Sequence, residues 1–205
     1  MMGNATVEIR RALPSGAGRR AAELYWEAFG RKLGAALGPP EKGVAFIAAH
    51  LNPDRAVVAL ADGRLIGLAG YRHAGRALTG GSPADVLRAY GWLTGLPRLA
   101  VLALLERGET PGELVMDGIA VDPAFRGSGV GGLLLEEVVA VAAGLGCRRV
   151  RLDVVDTNPR ARALYERRGF VAVRTERTPC LREPMGFGSV TRMSRSVAAG
   201  KGGRP

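Results

Sequence analysis

Residues 121–132 read VDPAFRGSGVGG, with four glycines and one arginine set between two strongly apolar segments. Glycine inside a regular element costs roughly 0.5–1 kcal/mol relative to alanine. So dense a cluster therefore points to something that approaches the bare backbone. Ahead of it, GELVMDGIAV (112–121) reads as a nearly continuous apolar strand. Behind it, residues 129–146 place Val130, Leu133, Leu134, Val138, Val141 and Leu145 at helical spacing, with Gly144 and Gly146 as stop signals. A strand, a glycine turn and a helix form an anion-binding arrangement. The first amides of the helix have no intrahelical partner, and the helix dipole adds positive potential there. Gly127, Gly129, Gly131 and Gly132 would let a pyrophosphate lie on those amides, with Arg126 adding charge-assisted contacts. A turn built only for close helix packing would use the same residues.

The run Gly127-Ser128-Gly129-Val130-Gly131-Gly132 also satisfies G-x-G-x-x-G, and Asp153 follows at about the distance of a ribose-binding acid. That would make the chain an NAD(P)-dependent oxidoreductase. The context argues against it: DPAFR separates the strand from the first glycine, where the dinucleotide fingerprint needs an immediate turn. No G-K-[ST] follows, which excludes a Walker A loop.

The remaining chain reads as alternating strands and helices. VEIRRAL (7–13) suits a first strand, and residues 17–29 a helix with Ala21, Leu24, Tyr25 and Ala28 on one face, ended by Gly38-Pro39-Pro40. A short helix at 43–51 precedes AVVALA (56–61) and RLIGLAGYR (64–72), a hairpin joined at Asp62-Gly63. Residues 74–111 read as an insertion of two helical pieces. The first opens at Ser82-Pro83, Pro97 breaks or kinks the run, and Trp92, Leu96, Leu99, Leu102 and Leu105 are packing residues. RRVRLDVV (148–155) alternates as a strand, Pro159 starts a helix that Gly169 ends, and 171–177 and 188–195 are closing strands. One domain over 1–196 with a mobile tail at 197–205 is expected.

Arg126-Gly127-Ser128-Gly129-Val130-Gly131 resembles the R/Q-x-x-G-x-G/A signature of the GNAT acyl-CoA-dependent N-acetyltransferases. Downstream, NPRARALYERRGF (158–170) resembles the family's second motif, N-x-x-A-x-x-L-Y-x-x-x-G-F. The resemblance implies a mixed α/β fold with a central, mostly antiparallel twisted sheet, flanked by helices and splayed at the acyl-CoA site. It also implies that acetyl-CoA is the cosubstrate, with no metal, and that the acceptor is the primary amine of a small molecule or peptide. By the same resemblance Ile119, Ala120 and Val121 contact the pantetheine arm, and residues 126–132 hold the pyrophosphate. Asn158 and Ala161 bind the arm as well, although Asn158 also suits a helix N-cap. The Asp117 amide would polarise the thioester carbonyl. Tyr165 would protonate the departing thiolate, since a phenol of pKa about 10 is neutral at pH 7. Glu113 and Asp117 are both candidates for the base that deprotonates the amine. Homodimers are common in the family.

The net charge of +10 and the arginine bias, with only Lys32, Lys42 and Lys201 among 29 basic residues, fit an anionic partner or a composition bias. A non-catalytic regulator that binds CoA or nucleic acid is the corresponding alternative, with nucleic acid disfavoured. Cys147 and Cys180 are too far apart for a CxxC motif, and His50 and His73 lack ligand-like neighbours. The start of the chain lacks a signal-peptide core and LAVLALL (99–105) is too short to span a bilayer, so a cytoplasmic enzyme is expected. The resemblance implies that acceptor specificity falls to 17–51 and 74–111, where Asp85, Glu106 and Glu109 are acids that suit either a cationic substrate or a solvated face.

Overall fold

The runs at 56–61 and 64–72 pair through a two-residue turn in which Asp62 (φ 49°) and Gly63 (φ 75°) both take positive φ. A type I′ connection requires this of both central residues. The computed structural model describes residues 6–105, 108–178 and 186–197, and the hairpin lies within a seven-stranded sheet. The strands are β1 (Val7–Arg11), β2 (Ala56–Ala61), β3 (Arg64–Arg72), β4 (Glu113–Val121), β5 (Arg149–Val155), β6 (Val171–Arg177) and β7 (Ser189–Ser196). Their spatial order is β1-β2-β3-β4-β5-β7-β6, and every described pairing is antiparallel except that of β4 with β5. The mixed, mostly antiparallel architecture expected from the sequence is the one observed.

Among the described residues six α-helices cover the sheet: α1 (Gly18–Leu37), α2 (Pro40–Ala49), α3 (Pro83–Tyr90), α4 (Trp92–Leu105), α5 (Val130–Gly144) and α6 (Pro159–Arg167). β2 is buried along its whole length because its two faces serve two cores. Val57 and Ala59 pack with Leu134 and Val138 of α5, whereas Val58 and Leu60 pack with Leu24 of α1 and Ile47 of α2. Each fully buried Val or Leu contributes about 1.5–3 kcal/mol. This is why the hairpin is apolar throughout, with no polar face.

Two expectations for the helices need correction. α1 runs on to Leu37 instead of stopping near residue 29, because Leu33, Ala36 and Leu37 continue its apolar face until Gly38 and the prolines. In the insertion, the break falls at Gly91 (φ 77°), and Pro97 sits inside α4. The left-handed φ at Gly91 ends α3, while the fixed φ of Pro97 is compatible with a helix. Trp92 and Leu96 are therefore not packing residues. They are 68% and 53% exposed, and the packed face of α4 begins at Leu99 and Leu102, against the α1 core. The side chain of Leu105, Glu106, Cys180 and the tail from 198 lie outside the described residues.

α3 starts at a capping box in which Ser82 Oγ accepts from the Asp85 amide (3.3 Å) and Asp85 Oδ2 accepts from the Ser82 amide (2.8 Å). The Ser82 hydroxyl, then its amide, hold the Asp85 carboxyl down to about 2 from 3.8. A lowered carboxylate pKa gives stability that is present above the unfolded value and lost as pH falls through the folded one. Asp85→Asn is therefore expected to lower the melting temperature at pH 7. The gap to wild type should narrow between pH 4 and pH 2, as followed by thermal unfolding across that range.

Candidate active site

The parallel pairing of β4 and β5 is short, linking only Glu113–Val115 to Arg149–Arg151. Past Val115 no ladder joins the two strands: β4 stays bound to β3, and β5 stays bound to β7 along its whole length. The sheet therefore opens into a wedge. The Asp122 amide donates to Ile66 O on the β3 side (2.8 Å). Bonded residues alternate in an antiparallel ladder, so the backbone groups of Ile119 and Val121 face the wedge. Ala120 faces β3 with its backbone, and its side chain is buried in the α1 core. Of the three strand positions expected to meet the pantetheine arm, Ile119 and Val121 turn their backbone to the wedge and Ala120 does not.

The β3–β4 register skips one residue, pairing Gly70 with Gly118 and Tyr71 with Met116, so Asp117 is the extra residue of a bulge. The bulge changes which face each side chain meets. Leu114 and Met116 belong to the α5 core, and so do Ile119 and Val121 beyond the bulge. Between them, Asp117 and Gly118 both turn to the α1 side. Asp117 Oδ2 accepts from the Leu78 amide (3.2 Å), and a Cβ on Gly118 would lie 2.2 Å from the Phe29 ring. The bulge thus places an acidic side chain beside the mouth of the wedge.

At the end of β4, Gly127 (φ 85°) and Gly129 (φ 90°) hold the left-handed geometry that the turn into α5 needs, with open space where their side chains would be. The amides of Gly127, Gly129, Val130 and Gly131 donate to no acceptor among the described residues. Gly132 N turns back to Gly129 O (2.9 Å), and Ser128 Oγ donates to Phe125 O (2.6 Å), which fixes the turn from within. Four bare donors at a helix N-terminus suit a diphosphate. Arg126 lies along the rim, donating from Nε to Val121 O (3.0 Å) and from a terminal nitrogen to Glu27 on α1 (2.7 Å).

Sequence reading missed Arg168. Its guanidinium lies across Gly132, 2.3 Å from where a Cβ would sit, and Glu136 holds it at 3.5 Å. It follows the second motif as one arginine among several, and only the fold brings it to the first turn of α5.

α6 closes the other side of the wedge. Asn158 caps it, Oδ1 accepting from the Ala161 amide (3.1 Å), so its Nδ2 is the atom left to meet an arm. Ala161, Leu164 and Tyr165 share one face of α6 and pack into the α5 core. Leu164 and Val121 come to 3.3 and 3.9 Å of a Cβ built on Gly131, so α6, the α5 start and the β4 end meet at one point. Tyr165 is buried, its ring 6.1 Å from Phe170.

Glu113 is placed elsewhere. It lies at the closed end of the wedge, 3.4 Å from the exposed Arg149 Nε and 3.8 Å from the buried Arg151, and is itself nearly buried. Asp117 is four residues further along, about 13 Å at the usual strand rise. On the α1 side of the sheet, a cavity of about 560 Å³ is lined by Asp117, Arg72 and Lys32 among apolar side chains of α1, α2, α3 and α4. The inserted helices supply one wall, through Val86, Leu99 and Leu102. Neither Asp85 nor Glu109 lines it. Asp85 is committed to the α3 cap, and Glu109 accepts from the Gly75 amide (3.1 Å) and lies 3.9 Å from Arg72. Among the described residues no three His, Cys, Asp or Glu side chains gather as a metal site, and no helix is long and apolar enough to cross a membrane.

The sequence profile of the Acetyltransferase (GNAT) family matches residues 19–170. The chain belongs to the GNAT acetyltransferase family. GNAT enzymes use acetyl-CoA as cosubstrate, and the wedge with its bare amides fits that molecule. Thialysine N-epsilon-acetyltransferase from Bos taurus is 39% identical over 56 residues, which cover 27% of this chain and 33% of that one. Mycothiol acetyltransferase from Beutenbergia cavernae is 44% identical over 55 residues, 27% of this chain and 18% of that one. The chain thus spans about a third or less of the length of these curated relatives. A GCN5-related N-acetyltransferase from Kribbella flavida shares the fold, with TM-score 0.61 and 18% identity over 93% of this chain and 97% of that one.

If the GNAT turn holds a diphosphate, Gly129→Val will weaken CoA binding by tenfold or more while the protein stays folded, because a β-branched residue cannot hold φ near 90°. Arg168→Ala should weaken it too, by up to one charge-assisted hydrogen bond, about 1.5–3 kcal/mol. Calorimetric titration with CoA, alongside circular dichroism, checks both.

Proposed function

We propose that this chain transfers an acetyl group from acetyl-CoA to a primary amine by direct attack. The observation that carries this reading is the wedge at Asp117. A strand edge and a row of bare amides suited to the donor adjoin a separate cavity suited to the acceptor. The bovine relative, by its name, acetylates an amine, which agrees with this acceptor chemistry.

In this mechanism the amides of Gly127, Gly129, Val130 and Gly131 bind the diphosphate, and the backbone of Ile119 and Val121 aligns the arm along β4. Asn158 Nδ2 adds a donor from α6. The Asp117 amide, at the bulge, faces the carbonyl oxygen that gains charge as the amine adds. A donor preset there stabilises the transition state more than the ground state. The Asp117 carboxylate, at the cavity wall, takes the proton from an amine that arrives mostly as ammonium. Tyr165 gives its phenolic proton to the departing sulfur. Glu113 anchors Arg149 and Arg151 at the closed end of the wedge and sets how far β4 and β5 stay paired.

These roles separate kinetically. Tyr165→Phe should lower kcat by about a hundredfold, the size of a lost general acid, with acetyl-CoA affinity kept within a factor of two. Asp117→Asn should cost at least as much in kcat/KM and remove the acidic limb of the pH profile. Glu113→Gln should instead destabilise the fold by roughly 1–3 kcal/mol and leave turnover within threefold of wild type. Thiol release with acetyl-CoA against amino acids, polyamines, aminoglycosides and peptide N-termini is the founding test. Thiol release from none of these amines, despite tight CoA binding, would refute the proposal.

A further inference from the structure

Helix α1 holds the segment between β4 and the glycine turn at two points. Arg20 and Glu27 lie seven residues apart, about two helical turns, and so share one face of α1. Arg20 donates to Asp122 Oδ2, and Glu27 accepts from a terminal nitrogen of Arg126 (2.7 Å). The two pairs have opposite polarity and different settings. Asp122 is largely buried, and its other oxygen accepts from the Ala124 amide (3.0 Å), so this pair is committed to the turn. Arg126 and Glu27 are both about half exposed. An ion pair in that setting contributes little, because water and salt screen it. The first pair is built to stay and the second to exchange.

The place of the second pair matters more than its strength. Arg126 Nε donates to Val121 O (3.0 Å), a carbonyl on the open edge of β4 that faces the wedge. That edge is where the donor's arm would lie, and the guanidinium occupies its last acceptor. Glu27 grips the same guanidinium from α1 and holds it there. An incoming arm must therefore move Arg126 off Val121 O. A ligand with a diphosphate offers the displaced guanidinium a stronger partner, since the bare amides that would hold the diphosphate begin at Gly127, the next residue. A ligand with the arm alone offers nothing in exchange.

We infer that Glu27 is a specificity-determining residue for the donor. Through Arg126 it latches the open edge of β4, and the latch yields to donors that carry a diphosphate and disfavours those that carry the arm alone. This rests on the reading of the wedge as an acyl-CoA site and deepens it. Glu27 acts as a positioning residue, by way of Arg126.

The test compares CoA with pantetheine, the uncharged arm without its nucleotide, on the full chain. Binding is read by calorimetry for CoA and by NMR titration for pantetheine, so no turnover is needed. Because pantetheine carries no charge, bulk electrostatics cannot link it to Glu27, and the link must run through Arg126. Glu27→Gln should tighten pantetheine by about two- to fivefold, the range of an exposed ion pair. It should have no effect on pantetheine once Arg126 is alanine. Arg126→Ala should tighten pantetheine while weakening CoA, so that the preference for CoA falls by about tenfold or more, the size of one charge-assisted contact. A purely structural role for Arg126 would move both ligands the same way. Glu23→Gln, one turn earlier on α1 and paired with Arg19 and Arg20, should leave pantetheine unchanged. Circular dichroism checks the fold of each variant. Pantetheine binding that is equal in wild type, Glu27→Gln and Arg126→Ala, or absent from all three, would overturn the latch. Tight CoA binding in the same samples would then leave the acyl-CoA reading standing. CoA binding to none of them would remove that reading, and the latch with it.

Discussion

Two parallel strands that begin paired and then separate form the constraint on which this molecule is organised. β4 and β5 share only three residue pairs before each commits to its other neighbour. A parallel pair normally continues until one strand ends, because every lost ladder bond leaves backbone groups to be satisfied otherwise. Here the bulge at Asp117 and the packing of α5 and α6 on the α5-side core hold the strands apart. The backbone of Ile119 and Val121 is thereby turned to the open edge, where Val121 O accepts from Arg126 Nε (3.0 Å). The glycine turn repeats the theme at the end of the same strand, where four amides have no acceptor among the described residues.

Much of this was readable in the linear chain. Asp62-Gly63, the positive-φ turn at 127–129 and Asn158-Pro159 are local devices, and local devices leave local signatures. Strand β4 and helices α5 and α6 were placed correctly because periodicity and caps agreed. What failed was governed by tertiary contact. Pro97 looked like a breaker, yet Gly91 does the breaking. Trp92 and Leu96 have the composition of a core, yet the turn at Gly91 leaves them in solvent. The extension of α1 to Leu37 depends on a core that no local pattern announces.

The same division holds for the site. The motif residues were named from their resemblance to the GNAT signatures, each of which lies on one turn, strand or helix and is therefore legible locally. Arg168, Lys32 and Arg72 were invisible, since each is an unremarkable basic residue in an arginine-rich chain until the fold brings it to a wedge or a cavity. The two carboxylates left open by the sequence, Glu113 and Asp117, lie on one strand but in different settings. One sits in an ion cluster at the closed end, and the other stands at the bulge beside the cavity.

The double-faced burial of the central hairpin has a further meaning. Everything suited to the donor lies on one side of the sheet with α5 and α6, and everything suited to the acceptor lies on the other with α1 to α4. β4 belongs to both, switching sides at a single residue. On the proposed reading, the helices over the leucine-lined hollow can be redrawn to suit another acceptor while the layer that carries the bare amides stays as it is.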